Sequence, residues 1–120
     1  MMSKIVQAVN TMIAHQDLIS NVLKGDKEYF FLYKDKYKWS IVQREDEIFL
    51  WYYPGTLSLE DLCDIEESGS WDGIDMVKYT DREIGTKEAI ASFAELFTII
   101  KEKVFGLDKV LDEIISDDDI

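Results

Sequence analysis

Apolar residues recur at helical spacing at the start of the chain. Ile5, Val9, Met12, Ile13, Ile19, Val22 and Leu23 fall on one face of a predicted helix from Ser3 to Lys24, with Gln16 interrupting the stripe. Ser3 stands where an N-cap belongs. Gly25 follows as a natural terminator, and Lys24 suits the negative end of the helix dipole.

The period then changes from about four to two. Between Tyr29 and Tyr53 the chain holds ten of its fifteen aromatics in three short runs, read as a three-stranded meander with turns centred on Asp35-Lys36 and Glu45-Asp46. With two-residue loops at both turns, Leu32 faces Trp39, Phe30 faces Ile41, Ile41 faces Leu50 and Trp39 faces Tyr52. Side chains alternate along a strand. One face therefore carries Phe30, Leu32, Tyr37, Trp39, Ile41, Ile48, Leu50 and Tyr52 and is assigned to the core. The other carries Tyr29, Phe31, Tyr33, Lys38, Ser40, Val42, Phe49, Trp51 and Tyr53. Neither turn has the Asn-Gly or Asp-Gly pair that secures a two-residue hairpin.

Pro54-Gly55 ends the third strand, and Ser58 with Asp61 forms a capping-box pattern for a short helix from Leu59 to about Glu67. Residues 74–79 alternate and fit a fourth strand. Thr86 caps a long helix from Lys87 to about Phe105, whose expected buried stripe is Ile90, Phe93, Ala94, Phe97, Ile100 and Val104. Gly106 separates it from a last helix, Leu107 to Ile115, and residues 116–120 read as a frayed acidic tail. The expectation is one α+β domain over residues 1–120, an antiparallel sheet of three to four strands packed with an N-terminal helix and C-terminal helices.

Composition narrows the classes. A hydrophobic content of 47% argues against disorder, and the absence of a long apolar run argues against a membrane span. A single cysteine, Cys63, and no signal-peptide pattern point to a reducing cytoplasm. The net charge of −12 opposes direct binding to phosphate backbones and anionic lipid. That charge is uneven. Lys24 to Arg44 holds six bases against three acids, whereas Glu45 to Asp75 holds ten acids and no base.

Catalytic raw material is thin. Cys63 and His15 are the only residues of their kinds, and both fall on or beside apolar helical stripes, where they act as structural side chains. Asp72, Gly73 and Asp75, with Glu83 at the twelfth position, have a faint calcium-loop spacing, but Gly73 is misplaced, and solvated acids are the simpler reading. No cofactor is called for. Lys38 beside Tyr53 suggests a cation–π contact.

Two features point to binding. Asp61, Asp64, Glu66, Glu67, Asp72 and Asp75 lie on the short helix and the loop after it. Tyr33, Trp51 and Tyr53 lie on the second sheet face, which either a chain segment or a partner must cover. The leading expectation is a small acidic, non-enzymatic protein that docks a basic protein partner, as an inhibitor, immunity protein, nucleic-acid mimic or chaperone does. Helix–meander–helix order and acidity loosely resemble bacterial secretion chaperones, a likeness of composition without a motif. The alternatives are a small-molecule-binding or enzymatic domain with a pocket lined by Trp39, Trp51 and tyrosines, and a homodimer that buries the aromatic face.

Overall fold

The computed structural model describes residues 3–117. The chain runs α1 (Lys4–Ala14), a 3₁₀ turn (Gln16–Leu18), β1 (Ile19–Lys24), β2 (Tyr29–Tyr33), β3 (Tyr37–Arg44), β4 (Glu47–Tyr53), α2 (Leu59–Ser68), β5 (Val77–Thr80), α3 (Asp81–Ile84), α4 (Lys87–Val104) and α5 (Leu107–Asp117). It is an α+β fold. The five strands form one antiparallel sheet in the order β1-β2-β3-β4-β5, one or two more than the pattern of the chain led us to expect. No helix among the described residues is long and apolar enough to cross a membrane.

The additional strand comes from the expected first helix, which stops at Ala14. Ser3 caps it, accepting from the Val6 amide. Gln16, where the apolar stripe fails, opens the 3₁₀ turn, and Ile19 onward pairs with β2. β-Branched Ile19 and Val22 suit that state. Asn21 adopts a left-handed conformation (φ 52°) inside a bulge, so that Asn21 and Val22 together oppose Phe31. Gly25 ends no helix; it sits in the β1–β2 turn and donates to the Glu28 carbonyl at 2.8 Å.

The β3–β4 hairpin has the expected two-residue loop, with Ile41 opposite Leu50 and Trp39 opposite Tyr52. The β2–β3 hairpin does not. Tyr33 pairs with Tyr37, leaving three loop residues, and Phe31 rather than Leu32 faces Trp39. Lys34 and Asp35 are both left-handed (φ 56° and 59°), an arrangement for which a lysine gives no sequence signal. One residue of slip exchanges the faces of β2. Tyr29, Phe31 and Tyr33 therefore point into the main core with Ile41, Ile48 and Leu50, against Val9 and Met12 of α1 and Phe93, Leu96 and Ile100 of α4. Phe30 and Leu32 point to the other face, where Leu59 and Leu62 of α2 close a second core with Tyr53.

The stripe of α4 is also rotated from the expected one. Thr86 does cap it, accepting from the Ala89 amide at 3.1 Å. Ala89, Ser92, Phe93, Leu96 and Ile100 are buried, whereas Ile90 is 50% exposed and Ala94 faces water. Ser92 turns inward because it donates to the Asn10 side chain of α1 at 2.6 Å. Ser116 and Asp117 belong to α5; residues 118–120 of the expected tail lie outside the described residues.

This packing predicts opposite outcomes for two neighbouring substitutions. Phe93→Ala should cost about 3–5 kcal/mol in urea unfolding, and Ile90→Ala well under about 1 kcal/mol. Equal losses would show that the helix is turned differently.

Candidate functional site

The second face of the sheet is only partly covered. α2, Leu57, Trp71, Ile74 and Met76 lie over Phe30 and Tyr53, and coverage ends at a cleft of about 300 Å³ lined by Glu28, Arg44, Trp51, Tyr53, Trp71 and Met76. Alternation puts these groups together. Phe49, Trp51 and Tyr53 follow one another on β4, with Ser40 opposite Trp51 and Val42 opposite Phe49 on β3. Trp71 stacks on Tyr53 (ring centroids 6.1 Å apart, 17° between planes), and Phe49 stacks on Trp51 (5.4 Å, 15°).

At the floor of the cleft is Glu28, only 4% exposed. Ser40 Oγ donates to its Oε2 at 3.2 Å and also shares a hydrogen bond of 2.7 Å with the Tyr53 hydroxyl. Arg44 Nη2 approaches Oε1 at 3.5 Å while the guanidinium lies 5.4 and 5.5 Å from the Phe49 and Trp51 ring centroids. Burial pushes the Glu28 carboxyl up to about 7, with the nearby Glu66 carboxylate adding to the shift; Ser40 and Arg44 pull the other way. Burial also raises the Tyr53 phenol far above its ordinary value.

Glu66 has a different task from its neighbours on α2. Its two oxygens accept from the Asp26, Lys27 and Glu28 amides at 2.8, 2.9 and 3.2 Å, anchoring α2 to the β1–β2 turn. Gly25 makes room for it: a Cβ there would stand 2.0 Å from Glu66 Oε1.

The other nominated acids are spread over the outside of α2 and the loop behind it. Asp61, Asp64, Glu67, Asp72 and Asp75 are exposed, as is Glu60. Asp61 completes the capping box, its Oδ2 accepting from the Ser58 amide while its own amide donates to Ser58 Oγ. The ion pairs among the described residues join Arg44 to Glu28, Lys78 to Glu83 and Arg82 to Asp46, and none includes an α2 acid. Trp51 and Tyr53 line the cleft. Tyr33 does not: the one-residue slip sends it to the opposite face, against α1. Trp39 and Trp51 are likewise on opposite faces, so no single pocket holds both. Lys38 makes no ring contact with Tyr53; its ammonium donates to the Leu57 carbonyl at 2.6 Å and to that of Gly55, tying down the segment after β4.

His15 is exposed at the end of α1, on the opposite side of the sheet from Cys63 of α2. Burial, followed by the α2 acids, pushes the Cys63 thiol up to about 11, which keeps it protonated near neutrality. Among the described residues no three of His, Cys, Asp and Glu cluster as metal ligands, Asp72 and Asp75 included. Glu28, Arg44 and Trp71 escaped the reading of the sequence. Glu28 and Arg44 lie outside the acidic and aromatic runs, and only the correct β2 register puts Glu28 on the same face as Tyr53. No protein-family model, curated protein or solved structure matches the chain.

Two predictions concern these carboxylates. For Glu28 the native value of about 7 lies above the unfolded value of 4.5. The native state therefore holds the proton more tightly, and stability falls as pH rises from about 4.5 to about 7. Glu28→Gln should remove about 3 kcal/mol of that fall, read as the difference between the two proteins in urea unfolding across this range. Parallel curves would rule out a carboxyl of raised affinity. Glu66→Ala, which leaves three turn amides to water, should cost about 1–2 kcal/mol in urea unfolding.

Proposed function

We propose that the chain is a non-enzymatic binding protein that docks a basic protein partner. The exposed acids Glu60, Asp61, Asp64, Glu67, Asp72 and Asp75 steer and hold it, and a partner lysine or arginine enters the cleft beside Trp51, Tyr53 and Trp71. The observation that carries this reading is the outer side of α2. Its carboxylates have no ion-pair partner among the described residues, and the segment that follows the helix brings Trp71 and Met76 to an aromatic cleft with a buried carboxyl at its floor. Arg44 supports the chemistry, since it is a cation already seated between that carboxyl and two stacked rings.

Glu60 and Asp61 stand in the first turn, where the dipole favours them, but the spacing and the far end of the helix work against it. Glu60 and Asp64 are four apart and Asp64 and Glu67 three apart, like charges on one side. Glu67 stands in the last turn, where the helix dipole favours a cation, and that turn has no base. Occlusion is the mechanism: carboxylates take the positions at which the partner's Lys and Arg would otherwise hold phosphate. Glu66 and Tyr33 are not part of the docking set, because one clamps a turn and the other lies on the far face. The setting proposed is cytoplasmic, where Cys63 stays reduced.

The test is affinity capture at stepped salt with the wild type and with Asp64→Lys, Glu67→Lys and Asp72→Lys combined. The wild type should retain a basic protein that leaves by about 0.5 M salt. The triple variant should lose it while unfolding at the same or a higher temperature, since it relieves repulsion. Retention by a folded triple variant, or no basic protein on the wild type at low salt, would end the proposal.

A further inference from the structure

The cleft on the second sheet face already holds a guanidinium. That of Arg44 lies 5.4 and 5.5 Å from the Phe49 and Trp51 ring centroids, inside the roughly 6 Å of a cation–π contact, and its Nη2 stands 3.5 Å from Glu28 Oε1. The two ends of this pair differ in exposure. The Glu28 side chain is 5% exposed and that of Arg44 55%. The carboxyl is fixed in the fold, whereas the cation is free to leave it. Arg44 also marks a path from solvent to Oε1 along which a guanidinium fits, so its withdrawal opens the floor of the cleft.

The resident pair is loose. Its 3.5 Å exceeds the roughly 2.7–2.9 Å of a formed charge-assisted hydrogen bond. Arg44 is held in the β3–β4 ladder opposite Glu47. A guanidinium from outside has no such tether and can close on the carboxylate with two nitrogens. The other groups around the carboxyl leave it short of positive charge. Ser40 on β3 donates one neutral hydrogen bond to Oε2, and Tyr53 on β4, kept protonated by burial, is bonded to the same hydroxyl. Glu66 on α2 adds a negative charge, and with burial it holds the Glu28 proton up to about 7. An entering cation takes the place of that proton.

We propose, resting on the reading that the chain docks a basic partner, that the cleft admits one arginine side chain of that partner, whose guanidinium closes on the Glu28 carboxylate beside the Trp51 ring while Arg44 swings out to water. The planar fork of arginine offers a carboxylate two parallel N–H groups and lies flat on an indole; the compact lysine ammonium does neither. Trp71 and Met76 line the same cleft and give its methylenes apolar surface. The exposed acids of α2 govern how strongly a partner is attracted, and Glu28 decides which side chain is admitted.

The probe is N-acetyl-arginine methylamide, titrated at constant ionic strength while the indole N–H resonances are followed by ¹H–¹⁵N NMR, with the citrulline and lysine derivatives as neutral and ammonium controls. At about pH 8.5 the arginine derivative should shift Trp51 and Trp71 saturably with a Kd on the order of 1 mM, and leave Trp39, on the opposite face, unmoved. The lysine derivative should bind several-fold more weakly and the citrulline derivative not at all. Binding should weaken at least about tenfold by about pH 5.5, where little of Glu28 is ionised. Glu28→Gln should abolish binding and its pH dependence. Arg44→Gln should tighten binding several-fold, because it removes the resident competitor. No saturable shift by roughly 20 mM, an equal response to either control, equal affinity at the two pH values, or weaker binding by Arg44→Gln would each overturn the inference. The capture experiment fails separately. A basic protein retained by a chain whose cleft ignores the arginine derivative would leave docking standing and end only this inference, whereas capture of no basic protein ends the docking reading and this one with it.

Discussion

The constraint on which the rest of the structure depends is that β2 is apolar at every position. Tyr29, Phe30, Phe31, Leu32 and Tyr33 alternate across the sheet, so each face receives at least two large side chains and neither can be left to water. A sheet with one solvated face could not hold this strand. It needs helices on both sides, and the chain supplies them: α1 and α4 over Tyr29, Phe31 and Tyr33, and α2 over Phe30 and Leu32. The long excursion between β4 and β5 exists for this reason. It brings α2 across to the second face before the chain returns to pair β5 with β4.

Covering both faces of one strand has an electrostatic consequence. Glu28 immediately precedes β2 and shares the face of Phe30, so closing α2 over Phe30 takes a carboxyl out of water with it. The same closure brings Glu66 onto the amides of residues 26–28, which places a second carboxylate beside the first. Ser40 and Arg44 answer part of the cost, and burial still keeps the Glu28 proton on up to about 7. Tyr53 is drawn into the same network through Ser40. The polar floor of the cleft is thus a by-product of how α2 is fastened, and its aromatic walls are what α2 is too short to cover.

Much of this was legible in the chain, and the parts that were not share a cause. Caps at Ser3, Ser58 and Thr86 were readable because a side-chain oxygen three residues before a helical amide is a local signal. The β3–β4 register was readable because a two-residue loop and alternation agree. The β2–β3 register was not, since it depends on Lys34 and Asp35 both adopting left-handed conformations, for which neither residue type is diagnostic. β1 was hidden because Ile19, Val22 and Leu23 continue a helical spacing by coincidence, and only the break at Gln16 hinted otherwise. At the site, the acids of α2 were visible as a run of one sign. That Glu66 turns inward while Asp64 and Glu67 turn outward was not, because it depends on the position of a turn some forty residues earlier.

The division of α2 between inward and outward carboxylates bears on what kind of surface it is. An acidic helix kept only for solubility has no reason to place Glu67 in the last turn, where the dipole opposes it, or to leave four exposed acids without an ion-pair partner among the described residues. Distributing Lys among them would keep the helix soluble and strengthen it. Glu66 does not suffer the same conflict, since three backbone amides neutralise it. The repulsion falls on Glu60, Asp64 and Glu67, the residues that face outward. Strain of this kind is relieved when a cation arrives, so the same charges that weaken the free helix would strengthen the docked one. That is a physical reason to read the surface as suited to a basic partner.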